Sequence, residues 1–327
     1  QKAELLIYKD IVEAKELTES QIGKIKEFLK SGFTSSMRNE FILLVADFYE
    51  DTPEISAEYL EMLEMDDIID EKDFGYSKIR LAEYYYNKDE NEKALKAYKL
   101  VQSDVNLSTP KVLFHYAVIL NETGNPSTSI EKFTFLLNNT DSFVGYVSAV
   151  NYFTQLLRDQ NKFERAIQYQ LLVPDDQRDD IFYQVLAEDY LKIGDKEKAK
   201  ETLLYIQEKN EEILKKLALL QFETYDLEMA KYTYSELAKK NSKDLKITRM
   251  LAQISFIQEE FLDAAKYYKN IVDKLGDNFA ENEHIAQIAR ENIIALYRIE
   301  NRPKAQTLSK KFKAVLSLDD KNEIKLN

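Results

Sequence analysis

Leu186-Ala187-Glu188-Asp189-Tyr190, then Gly194-Asp195, then Ala199, Leu203 and Ile206, is the stretch that decides how this chain folds. The leucine, alanine and tyrosine recur at helical spacing, so they share one face of an amphipathic helix. Gly194-Asp195 breaks that helix, and a second run opens with Lys196, its apolar stripe beginning at Ala199. Two antiparallel helices joined by a tight turn satisfy both stripes. Ala187 and Ala199, twelve residues apart, are small enough to let the two backbones approach closely.

The twelve-residue interval recurs along the chain. Ala82 to Ala94, Ala117 to Ser129, Ala218 to Ala230 and Ala252 to Ala264 repeat it with small residues. Val45 to Ala57, Thr154 to Ala166 and Ile293 to Ala305 repeat it more loosely. The second-helix anchors follow one another at 37, 35, 37, 33, 31, 34 and 41 residues. Four residues beyond the anchor stands a bulky group (Tyr98, Phe133, Leu203, Tyr234, Tyr268), and seven beyond stands another. A supersecondary unit repeated near every 34 residues is the mark of a helical repeat array.

These residues resemble tetratricopeptide repeats: Leu81-Ala82, Tyr85, Ala94 and Tyr98 in one copy, and Leu186-Ala187, Tyr190, Gly194, Ala199 and Leu203 in another. The likeness covers residues 34–316. It departs from the family pattern in having no tryptophan, alanine for glycine in the first helix, and few closing prolines. The resemblance implies an all-α superhelix of eight or nine hairpins. Residues 1–33 would form a degenerate cap, 34–316 one continuous solenoid and 317–327 a frayed tail.

Composition agrees with helices. Seven glycines and five prolines in 327 residues are few, and helices need such residues only at their joints. Pro53, Pro110, Pro126, Pro174 and Pro303 fall at expected turns or first helical turns. Gly124 and Gly194 fall between paired helices, whereas Gly23 and Gly145 fall inside expected ones. Thr18 or Ser20 should cap the helix before residue 30. After Ile271 a longer helix or a loop must absorb the 41-residue interval.

Charge excludes one class of partner. A net charge of −13 does not suit nucleic acid. No run approaches the apolar length of a membrane span. With no cysteine, neither a disulfide nor a thiolate metal site can form. His115 and His284 are too far apart in a repeat array to share a site, and no hydrolase, zincin or phosphate-loop motif is present. Asp175-Asp176 and Asp179-Asp180 fit a helix start after Pro174. These observations predict no catalytic residue, no metal and no cofactor. The chain begins at Gln1, which reads as a processed or partial chain. Its lysine and asparagine usage leans toward a bacterium, and its lack of cysteine toward an envelope compartment.

The charge is uneven. Residues 40–75 carry thirteen acids against Lys72, a sum of −12, and residues 284–327 turn basic. Glu61, Glu64, Asp66, Asp67, Asp70, Glu71 and Asp73 read as an acidic face for a basic partner, or as a solvated outer face. The asymmetric ends also suit head-to-tail association of copies.

In tetratricopeptide arrays the first helix of each hairpin lines the concave side. That resemblance puts Tyr76, Ile79, Arg80 and Tyr86 there, with Lys111, Phe114 and His115, then Asn151, Tyr152 and Arg158. Gln184, Glu188, Lys215, Lys216 and Phe222 follow, then Lys246, Arg249, Phe256, Arg290 and Tyr297. Rings and cations together suit a protein or peptide partner; some of the rings would instead be core. Leu219 and Met250 stand where a carboxylate clamp needs asparagines, so that clamp is missing. The function these features predict is a non-catalytic interaction scaffold, within a bacterial envelope or motility assembly. A peptide-sensing regulator and a substrate-docking part of an enzyme complex are the alternatives.

Overall fold

The computed structural model describes residues 18–30, 38–64, 69–101, 109–241, 243–276 and 284–326. Among them are eighteen α-helices and no strand, in two compact units, Gln1–Val173 and Pro174–Asn327. In the first unit α1 (Glu19–Lys30) packs on α2 (Arg38–Phe48), which pairs with α3 (Pro53–Glu61). Three more hairpins follow: α4 (Glu71–Asn87) with α5 (Asn91–Lys99), α6 (Pro110–Glu122) with α7 (Pro126–Asn139), and α8 (Tyr146–Asp159) with α9 (Phe163–Gln170).

The second unit pairs α10 (Asp180–Lys192) with α11 (Lys196–Leu204) and α12 (Glu211–Glu223) with α13 (Leu227–Lys240). Next come α14 (Leu245–Ile257) with α15 (Phe261–Leu275) and α16 (Ile285–Arg298) with α17 (Arg302–Lys311). A last helix, α18 (Leu318–Leu326), packs on α16.

Each twelve-residue pair expected from the sequence lands on one hairpin, with one member on each helix. All sixteen seam residues are at most 4 % exposed, and most are fully buried. Bulky groups four and seven residues past the anchors, such as Tyr98 and Val101 or Tyr268 and Ile271, fill the core beside them.

The turns share a second regularity. Asp89, Gly124, Asn161, Gly194, Tyr225, Glu259 and Glu300, each five residues before its anchor, hold a positive φ between 57° and 80°. The following amide closes a six-residue ring, as Asn125 N–H to Leu120 O at 2.7 Å and Asp226 N–H to Gln221 O at 2.8 Å. This is the Schellman close of a helix, which glycine enters most cheaply. Only two of the seven positions are glycine, so glycine marks alone could not reveal the other turns. Gly194→Ala should therefore lose about 1 kcal/mol, while Tyr225→Gly should gain about 0.5 kcal/mol. Urea unfolding midpoints of the two variants check both signs.

Local signals hold where the backbone needs them. Thr18 caps α1 in a reciprocal box: its N–H donates to Gln21 Oε1 at 2.9 Å, and Gln21 N–H donates back to Thr18 Oγ1 at 3.4 Å. Pro53, Pro110, Pro126 and Pro303 sit in first helical turns. Asp179 caps α10, accepting from Phe182 N–H at 2.8 Å. The extended interval after Ile271 continues α15 to Leu275, and residues 277–283 lie outside the described residues, as do 1–17 and Gly32.

Two expectations are corrected. Gly145 is not inside a helix: it precedes α8 with φ +97°, a conformation open to glycine, and faces Phe114 and Phe143. The stretch expected to fray is helical from Leu318 to Leu326. Asp320 accepts from Ser317 N–H and Oγ–H at 2.9 and 2.7 Å, capping α18, and Ile324 is buried in the core over α16.

Candidate partner-binding face

In the first unit α4, α5 and α6 bring together a carboxylate, a histidine and two tyrosines, with Tyr98 lying 15 residues and His115 32 residues from Glu83 in sequence. Glu83 leaves α4 beside the seam residue Ala82. Its Oε1 accepts from the Tyr98 hydroxyl at 2.5 Å, and both its oxygens lie 2.8 Å from His115 Nδ1 on α6. An ionised carboxylate only accepts, so Nδ1 carries the proton. The Tyr86 ring stacks on the His115 ring at 4.3 Å. Burial pushes the Glu83 carboxyl up, but hydrogen bonds from His115 and Tyr98 and the charges of His115 and Lys111 outweigh it. The carboxyl is held below its ordinary value. Burial, then the charge and hydrogen bond of Glu83, push the Tyr98 hydroxyl far above the usual range.

The sign of the pH dependence follows. A carboxyl lowered by folding stabilises fully above its unfolded value, and that gain fades as pH falls through the folded value. Glu83→Gln should cost about 1–3 kcal/mol at neutral pH and flatten the loss of stability between about pH 5 and pH 3. Thermal melts of both proteins across that window measure it.

The same linking chemistry takes up many of the other predicted residues. Arg80 holds Asp47 Oδ1 at 2.5 Å, Ser56 Oγ at 3.1 Å and Ala46 O at 3.3 Å, tying α4 to the preceding hairpin. With Ile79, Glu83 and Lys111 it lines a recess of ≈ 350 Å3. The Tyr152 hydroxyl donates to Glu122 at 2.5 Å and accepts from Asn121 at 2.9 Å. Burial and Glu122 push it up to about 12. Arg158 donates to Gln170 at 2.5 Å, and Phe114 packs on His115 and Phe133. Tyr76 and Asn151 are exposed.

In the second unit Lys215 pairs with Glu211 and Asp244 at 2.7 and 3.4 Å, and Lys216 with Glu188 and Glu212 at 3.1 and 3.2 Å. Arg290 is drawn to Asp320 and Glu323 of α18. Phe222, Phe256 and Tyr297 are half-buried against core clusters. Lys246 is exposed and Arg249 half-buried. On these first helices four apolar residues are exposed: Leu219 at 44 %, which the sequence reading had placed at a clamp position, and Ile181 at 70 %, Leu191 at 38 % and Ile257 at 44 %, which it passed over. Their mark was an aliphatic side chain on the face opposite the seam stripe.

Of the acidic face, Glu61, Glu64, Asp70, Glu71 and Asp73 are exposed, and Asp70 also caps α4 through Lys72 N–H at 2.8 Å. Asp66 and Asp67 lie outside the described residues. A feature the sequence did not disclose sits beneath this face. Lys78 is 3 % exposed, and its ammonium donates to Leu60 O at 2.9 Å and Leu63 O at 2.8 Å. Arg38 and Asn39 hold Met62 O and Glu64 O at 3.0 and 2.7 Å, so three side chains secure the carbonyls where α3 ends. Among the described residues no cluster of three or more metal-ligating side chains occurs, and no helix is long and apolar enough to cross a membrane.

No family model and no curated protein matches the chain. Solved structures do. A chain of the Naa15/Naa10 complex bound to HypK-THB aligns over 87 % of this chain and 43 % of its own, with a TM-score of 0.52 and 16 % identity. This chain thus spans less than half the length of that protein. The C-terminal part of a TPR repeat-containing protein from Cytophaga hutchinsonii aligns over 74 % of this chain and 97 % of its own, with a TM-score of 0.42 and 17 % identity. A tetratricopeptide repeat protein from Parabacteroides merdae covers 77 % of this chain and 98 % of its own, with a TM-score of 0.38 and 14 % identity.

Proposed function

From a fold of tetratricopeptide-type helical hairpins, we propose that the chain is a docking scaffold that holds a partner protein against the first helices of its hairpins. The observation that carries this reading is the set of solvent-facing aliphatic residues there, Ile181, Leu191, Leu219 and Ile257, which no core contact requires. Exposed aliphatic side chains flanked by half-buried rings (Phe222, Phe256) and by Lys246 supply the apolar anchors and polar rim of a protein interface. Partners held in this way need no reactive group from the chain.

A second reading rests on the exposed carboxylates Glu61, Glu64, Asp70, Glu71 and Asp73, which suit a basic partner. Crosslinking of the whole chain in its native extract separates the two. Leu219→Asp with Ile257→Asp should reduce recovered partners more than tenfold, and recovery by the wild type should depend little on salt. Replacing the five carboxylates by their amides should change recovery less than twofold. The reverse pattern, with steep loss between about 0.1 and 0.5 M salt, would assign docking to the acidic face.

A further inference from the structure

The second unit carries another recess, built from different residues. Helices α15, α16 and α17 enclose a groove of ≈ 340 Å3, within the range of about 300–1,000 Å3 typical of ligand sites. Its apolar lining includes Val272 and Leu296, both buried, together with Leu308 and Leu262, the last 57 % exposed. Lys266 and Lys269 stand along one wall and Lys304 on another, and all three are exposed. Asp263 pairs with Lys266 at 2.9 Å, and Asp273, which also lines the groove, lies 4.0 Å from Lys269. Three ammonium groups around one lining carboxylate leave the groove cationic in a chain whose net charge is −13.

Asn292 lies at the base of the groove. It lines the recess, is 2 % exposed, and its amide oxygen has no hydrogen-bond partner. That oxygen is sealed from the groove, so the apolar floor and the lysines set what an occupant must offer.

We propose that this groove is a second docking site, for an acidic peptide segment of a partner protein that carries an aliphatic or aromatic anchor. An extended segment supplies both complements: an apolar side chain for the Val272–Leu296 floor, and carboxylates for the lysines on both walls. The first-helix face contributes none of Ile181, Leu191, Leu219 or Ile257 to it, so the two sites can be tested apart.

Fluorescence anisotropy on the full chain tests the assignment with three labelled nonapeptides. One alternates aspartate and glutamate with leucine, one replaces its acids by lysine, and one replaces its leucines by serine. The first should bind at least tenfold tighter than either control. Lys266→Glu/Lys269→Glu/Lys304→Glu and, separately, Leu262→Asp should each weaken it at least tenfold. These positions are exposed, so unchanged thermal melts verify that the variants fold. Leu219→Asp should leave the affinity unchanged. Equal binding of the three peptides, or binding that survives reversal of the lysines, would overturn the proposal. Loss of binding in Leu219→Asp with retention in the lysine variant would overturn it too, and would place the peptide on the first-helix face instead.

Discussion

Lys78→Met is expected to destabilise the first unit by about 2–4 kcal/mol, although methionine matches the length and apolar stem of lysine. The reason is the end of α3. Its Leu60 carbonyl accepts a long 3.4 Å bond from Leu63 N–H, and the Leu63 carbonyl turns toward the same ammonium. Removing the ammonium leaves these buried acceptors without their donor, and it removes a cation from a helix C-terminus, where the backbone dipole favours one. Burial is itself a cost: desolvation holds the Lys78 amine below its ordinary value, against the raising charges of Glu61 and Glu64. A lysine lowered by folding sheds its proton in the native state first. The stability it contributes should therefore rise with pH between its folded value and the ordinary value of 10.5, and the methionine variant should lack that rise. Urea unfolding from about pH 8 to pH 10.5 measures both effects. A change below about 0.5 kcal/mol at pH 8 would show that solvent replaces the ammonium without loss.

Ala218→Leu is expected to lose about 3 kcal/mol, and more than Ala218→Gly, whose loss should be about 1 kcal/mol. Ala218 and Ala230 are both fully buried in one cluster with Tyr234, Leu237, Leu251 and Ile254. Close-packed interiors have no room for three further carbons, so α12 and α13 must separate. Both directions of size change should therefore destabilise, with the larger side chain costing more. Denaturant midpoints across Gly, Ser, Val and Leu at this position give the profile. A leucine variant as stable as the parent would mean that the seam holds unfilled space.

The hairpins were legible because seam and core follow from side-chain volume repeated at fixed intervals. Ala187 and Ala199 announce a close helix pair whatever surrounds them, and even Thr154 and Ile293 kept their register. The site was less legible. Glu83 looked like one acid among many, yet it is the group that His115 and Tyr98 share, from 32 and 15 residues away in sequence. Arg80, Tyr152, Lys215 and Lys216 read as partner contacts from residue type, but they reach polar groups of neighbouring hairpins, because adjacent first helices bring such long side chains within hydrogen-bonding distance.

What the sequence determined by itself was the repeat: its period, its helix pairs, its buried small residues and its concentration of acid near the start. Those properties are local, set by spacing and volume within about 34 residues. The tertiary structure alone decided which polar side chains are spent joining hairpins, which carbonyls Lys78 serves, and where Asn292 is left with an unmatched oxygen. These depend on which side chains of neighbouring helices meet, and a hydrogen bond forms only when two particular atoms come within about 3 Å of each other.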